Sequence, residues 1–265
     1  MMRSVYLKTL YDKRIFMLGW TLGFAVLAAL MVSFFPAMRQ DGTIDALVAN
    51  MPDAFQGLIG DLALLTSFDT CLAAQLFDIR MPLIAGIMAI VLGLGLSVTD
   101  EEKGELRTIL SLPVGRTKLL FEKWFAMVTI MAVTLVGLVV GIYLTMPFIE
   151  GAEITNEALL RLVGMTGLVM VTFGTIPFAI GMASGRRGMA TSLSVLAVIG
   201  SFLLTTFGAM VEWLADFERL SLLHYFPATD IVRSGAEASD IAVLGGLTSG
   251  LLLVAYLRFR SRDVA

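Results

Sequence analysis

The chain has 265 residues, of which 57% are hydrophobic and 15% charged, with a formal net charge of -3; a typical soluble domain is about half apolar and about a quarter charged. A mean hydropathy of +0.86 excludes an ordinary water-soluble fold, and the single cysteine, Cys71, excludes an intrachain disulfide or a multi-cysteine metal centre.

About twenty residues of helix cross the hydrocarbon, and charge near its centre is costly. Six runs of at least seventeen residues lack Asp, Glu, Lys and Arg: 15–38, 81–99, 124–149, 162–185, 188–211 and 241–257. Before the first run, residues 2–14 place Met2, Tyr6, Leu7, Leu10 and Tyr11 on one helical side and Lys8 and Asp12 opposite. Arg3, Lys13 and Arg14 are able to snorkel. The pattern predicts an interfacial helix at 2–14. The first span, 15–38, reads as retained, because Ala28 and Ala29 lead into more apolar residues instead of a cleavage site.

Residues 39–80 form an outer segment carrying Asp45, Asp53, Asp61 and Asp69 at intervals of eight. These acids do not share a helical face; their expected role is to keep an outer helical hairpin soluble, with an ion site as the alternative. Cys71 is expected on the outside, accessible unless that segment buries it. The second span is 81–99 and the third 119–149, with Pro147 near its end; the fourth is 159–185, with a kink expected at Pro177. The fifth span is 188–212, followed by an outer segment, 213–240, with a short helix near LSLLHYFPATDIVRSG. The sixth is 241–257, with a tail at 258–265.

Segments 1–14, 100–123, 186–187 and 258–265 carry 14 of the 19 basic residues and alternate with segments carrying the other five. The basic side reads as cytoplasmic, which places both termini there. Chemistry is scarce. His224 is the sole histidine and reads as a polar tip beside Tyr225; the sixteen methionines read as adaptable packing. GxxxG pairs occur at Gly19/Gly23, Gly137/Gly141, Gly181/Gly185 and Gly246/Gly250, each a candidate close helix contact. No GxxxxGK[ST] occurs, and the charge-free runs hold no ionisable relay of the kind a proton- or sodium-coupled carrier uses.

The most charged stretch, TDEEKGELRTILSLPVGRTKLLFEKW, spans residues 99–124. Thr99 and Glu102 have capping-box spacing, and Asp100 and Glu101 add negative charge at the helix's positive end. Leu106, Ile109 and Leu110 make a narrow apolar stripe, and Pro113 ends the helix. Such a helix lies either on lipid or in a groove of a cytosolic partner. The acids Asp100, Glu101, Glu102 and Glu105 favour a protein, since the inner leaflet is itself anionic.

Glu101 to Lys123 resembles the segment E-x-x-G-T-L-E-x-L-L-S-x-P-V-S-R-x-x-L-x-x-x-K that follows the second span in permease subunits of ABC-2-type transporters. Residues 258–263 resemble their closing F-x-x-R-D signature. Glu101, Gly104, Leu106, Leu110, Pro113, Arg116 and Lys123 match; Glu105 stands where the pattern has Thr and Arg107 where it has an acid.

The resemblance implies an all-α integral membrane protein with six transmembrane helices. The fold is that of an ABC-2-type half-transporter with an N-terminal interfacial helix and a cytosolic coupling helix at 100–113. It implies a permease subunit of an ATP-driven transporter, expected to export, in the cell inner (plasma) membrane. The partners implied are a second permease copy or a related permease, and two copies of a separate ABC ATPase subunit. The ATPase carries ATP and Mg, and this chain carries no cofactor. The coupling contact implied uses Glu101, Glu102, Gly104, Leu106, Arg107, Ile109, Leu110, Pro113 and Arg116. The bilayer is a partner and nucleic acid is not. A secondary carrier and a non-transporting sensor or scaffold stand as alternatives.

Overall fold

The computed structural model describes residues 4–36, 67–78, 80–104, 115–208 and 212–262. Every regular element among them is helical. In chain order they are α1 (Val5–Asp12), α2 (Arg14–Ser33), α3 (Phe68–Leu72), a π-helical turn (Ala73–Asp78), α4 (Arg80–Leu96), α5 (Val98–Glu102) and α6 (Arg116–Thr145). Then follow α7 (Asn156–Ser184), α8 (Arg187–Gly208), α9 (Glu212–Ala215), α10 (Ala228–Ser234) and α11 (Ala238–Ser261). Six stretches are long and apolar enough to cross a membrane: Arg14–Ser33, Phe68–Glu102, Arg116–Phe148, Asn156–Ser184, Arg187–Phe207 and Ala238–Ser261.

The second, third and fourth of these make the centre of the bundle. Their most apolar windows are 72%, 56% and 67% buried, against 17% to 22% for the other three. Glycines set the closest approaches, because a bare Cα lets two backbones touch. A Cβ at Gly137 or Gly141 of α6 would collide with the carbonyl oxygens of Thr21 and Ala25 on α2. One at Gly93 of α4 would strike Gly174 and Pro177 of α7. Gly181 meets Ser97, and Gly185 takes the left-handed conformation that ends α7 beside Arg262. Gly19, Gly23, Gly246 and Gly250 have nothing within 4 Å, so two of the four GxxxG pairs make contacts within the chain.

Hydroxyls inside the helices return their protons to backbone: Thr21 donates to the Met17 carbonyl at 2.7 Å and Thr166 to Leu162 at 2.7 Å. That satisfies a polar group where no water is at hand. Among the polar contacts that link helices, Trp124 Nε1 donates to Thr175 Oγ1 at 3.0 Å and Thr172 pairs with Thr248 at 2.9 Å. Pro177 sits within a continuous α7, while Pro147 lies in a 3₁₀ turn, Met146–Phe148, that ends the third span.

Two expectations change here. Cys71 is 4% exposed within α3, packed in the apolar core, and is therefore not an accessible thiol. The reason is length: the candidate span Phe68–Glu102 holds 35 residues, where about twenty residues of helix cross the hydrocarbon. The end of the expected outer segment is thus an extension of the second span. Its polar side chains serve structure; Asp78 accepts from Ala228 N at 2.8 Å and Thr229 Oγ1 at 3.0 Å, at the start of α10. Of the four spaced acids, Asp69 Oδ1 accepts from Thr70 N at 2.8 Å, and Asp45, Asp53 and Asp61 lie outside the described residues.

The second change concerns α1. Ser4 Oγ caps it by accepting from Leu7 N at 3.2 Å. Tyr6 turns toward α6, its amide donating to Glu122 at 3.1 Å and its hydroxyl pairing with Thr129 at 3.0 Å. Leu7 and Tyr11 remain exposed. The expected single apolar side is therefore split between the bundle and the surroundings.

Candidate functional site

At the end of the bundle where α4 stops, three consecutive acids each reach a different base. The local backbone explains their fan. α4 ends at Leu96, Ser97 leaves helical geometry (φ -112°, ψ -84°), and α5 adds one more turn. Gly104, at φ +73°, closes that turn, with Gly104 N donating to the Glu101 carbonyl at 2.9 Å; only glycine enters that left-handed region without strain. Successive residues on a single turn point about 100° apart, so Asp100, Glu101 and Glu102 face three neighbours.

Asp100 takes Lys123 of α6 at 2.6 Å. The Lys123 side chain is 1% exposed and also donates to the Leu96 carbonyl at 3.0 Å. That carbonyl is among those an α-helix leaves without partners at its C-terminus, where a cation is favoured. Glu101 takes Arg262, both side chains 16% exposed. Arg262 further donates to the Gly181 and Met182 carbonyls at 3.2 Å each, closing the end of α7. Glu102 takes Arg187, at the start of α8, at 2.7 Å. That pair is about half exposed and contributes little to stability.

Arg116 completes the arrangement. It begins α6 and donates to the Phe259 carbonyl at 3.2 Å and to the Arg262 carbonyl, where α11 ends. The segment entering and leaving residues 105–114 is thus tied to α4, α6, α7, α8 and α11. These ties are charge-assisted hydrogen bonds, the stronger kind. Among the described residues no group of three or more His, Cys, Asp or Glu side chains could hold a metal ion.

Of the residues singled out from sequence, Glu101, Glu102, Gly104 and Arg116 belong to this cluster. Leu106, Arg107, Ile109, Leu110 and Pro113 lie outside the described residues. The capping box does not form: Ser97 holds the N-cap position, Thr99 lies inside α5, and Glu102 points to Arg187. The helix that begins at Val98 also does not run on from residue 100 without interruption, since Gly104 terminates it. Nor do Asp100, Glu101 and Glu102 offer free negative charge to a partner, because each is paired within the chain. Sequence reasoning missed Lys123, Arg262 and Arg187 as their mates. The available signal was the match between three adjacent acids and basic residues at three other span ends.

These features define a multi-pass helical membrane protein whose charged turn after the second span is fastened to the ends of its neighbours. A family profile described as "ABC-2 family transporter protein" matches residues 8–264, and the chain belongs to that family. It is therefore a membrane component of an ABC transporter, a family that works in the bilayer in association with an ABC ATPase. Among curated proteins no match to the chain was found.

Proposed function

We propose that the chain is a permease half of an ATP-driven exporter. It forms the pathway with a second copy or a related permease, in the plasma membrane, with both termini cytoplasmic. Two copies of a separate ATPase subunit supply ATP and Mg, and residues 100–113 carry their motion into the membrane. The observation that supports this reading is the fan of Asp100, Glu101 and Glu102 onto Lys123, Arg262 and Arg187. A segment that only rested on lipid would have no need of attachments to so many span ends. The positive-inside distribution, with 14 of 19 basic residues on one set of segments, supports a cytoplasmic position for that fan.

In this mechanism ATP closes the ATPase dimer and moves the segment between Gly104 and Gly115. Asp100 and Lys123 transmit the push to α4 and α6, and Glu101 and Arg262 transmit it to α7 and α11. The pathway between the two halves is a two-state element biased by nucleotide.

The test is Leu106→Asp and Leu110→Asp. A leucine in a partner groove contributes roughly 1.5 to 3 kcal/mol, and a buried carboxylate adds a desolvation penalty. Since about 1.4 kcal/mol is tenfold in affinity, loss of ATPase co-purification and of transport is expected at matched membrane expression. Full binding and transport by both variants would remove the coupling assignment and leave a segment lying on lipid.

A further inference from the structure

Beside the ion-pair fan lies a cavity of about 370 Å³ between α1, the end of α4 and the start of α6. It is polar where the rest of the bundle is apolar, and its charged lining is Lys8, Asp12, Lys13, Asp100, Lys103 and Lys123. Four ammonium groups face two carboxylates. Asp12 is engaged by Lys8 at 3.9 Å and Asp100 by Lys123 at 2.6 Å. Lys13 and Lys103 make no ion pair among the described residues. Among the described lining residues the cavity thus carries more positive than negative charge.

The backbone is shaped to keep Lys13 there. Lys13 forms the break between α1 and α2, and its Nζ lies 3.2 Å from the point where a Cβ at Gly95 would sit. A Cβ at position 95 would require the ammonium to shift by a few tenths of an ångström. The cavity lies level with the ends of the second and third spans, where headgroups lie, and its rim residues Lys8, Asp12 and Lys103 are exposed. Basic pockets between helix ends are suited to phosphate-bearing headgroups, and the volume falls within the range of small-ligand sites.

We infer that this cavity binds a phosphate-bearing anion, held by Lys13 and Lys103 with Lys8 at the rim and Lys123 at the base. The phosphate of an anionic phospholipid or a free phosphate meets the same chemistry, and the site requires neither transport nor the ATPase. Lys13 and Lys103 bear the test, since replacing them breaks no ion pair among the described residues.

The experiment uses the purified full chain in neutral detergent, titrated with phosphatidylglycerol or phosphatidylcholine and read by native mass spectrometry. The K13Q/K103Q double variant should bind phosphatidylglycerol about 10- to 30-fold more weakly than the original chain. K118Q, which alters an exposed lysine elsewhere on α6, should bind it unchanged. Phosphatidylcholine should bind weakly to all three. Inorganic phosphate that displaces phosphatidylglycerol identifies free phosphate as sufficient, and failure to displace assigns the site to the lipid. Equal retention of the two lipids, unchanged binding by K13Q/K103Q, or an equal loss in K118Q would overturn the inference.

Discussion

Lys123 is the side chain whose environment departs furthest from what its type suggests. Lysine is almost never fully buried unless paired, and here it is 1% exposed and paired with one carboxylate and one orphan carbonyl. Removing it strands Asp100 and leaves the Leu96 carbonyl without its donor. Breaking a buried pair from one side costs about 3 to 5 kcal/mol, while replacing both partners with apolar residues is often neutral. Lys123→Met should therefore lower the thermal midpoint in detergent sharply, and Lys123→Met with Asp100→Leu should recover most of the loss. A single variant as stable as the original would show that the pair contributes nothing. Glu101 is a milder case, because Arg262 keeps the Gly181 and Met182 carbonyls if the carboxylate is lost.

Helix contacts divide the glycine pairs cleanly. α2 and α6 approach until Gly141 lies under the Ala25 carbonyl and Gly137 under that of Thr21. Gly141→Ala must push the two backbones apart, and overpacking of this kind costs typically about 1 to 3 kcal/mol. Gly19→Ala and Gly246→Ala meet nothing within 4 Å and should stay within about 0.5 kcal/mol. Thermal unfolding of the three purified variants in one detergent checks the order. A Gly141→Ala chain that matches the other two would mean that α2 and α6 are not held this closely. The pattern GxxxG is identical in all these pairs; what differs is whether another helix arrives on that side.

For the whole molecule, topology remains open to direct measurement, and the burial of Cys71 alters how. A membrane-impermeant maleimide should leave Cys71 unmodified in the folded chain from either side and should modify it only after denaturation. In a Cys71→Ser background, Ser239→Cys and Ser261→Cys place exposed thiols at opposite ends of α11. The first should react in intact cells and the second only after permeabilisation. The reverse result would invert the orientation drawn from the basic residues, and with it the side on which an ATPase docks. Labelling of Cys71 in the native chain would contradict the packing of α3.

The sequence by itself determined the number of spans, the helical class and the places where charge gathers. These depend on the local solvent, lipid or water, and every twenty-residue window reports its own solvent through composition. It also marked residues 99–124 as the most charged stretch, since charge is costly in an apolar chain. Only the tertiary structure decided which acid meets which base. Asp100 and Lys123 are 23 positions apart and Glu101 and Arg262 are 161 apart, and no periodicity encodes which span ends become neighbours. For the same reason the capping-box spacing of Thr99 and Glu102 misled: Arg187, brought in by α8, offers Glu102 a full opposite charge in place of a backbone amide. Cys71 followed the same logic, its apolar neighbours marking it for burial only once the second span was seen to begin at Phe68. Packing assigned the partners because a helix end, once formed, takes the strongest counter-charge that the fold carries within reach.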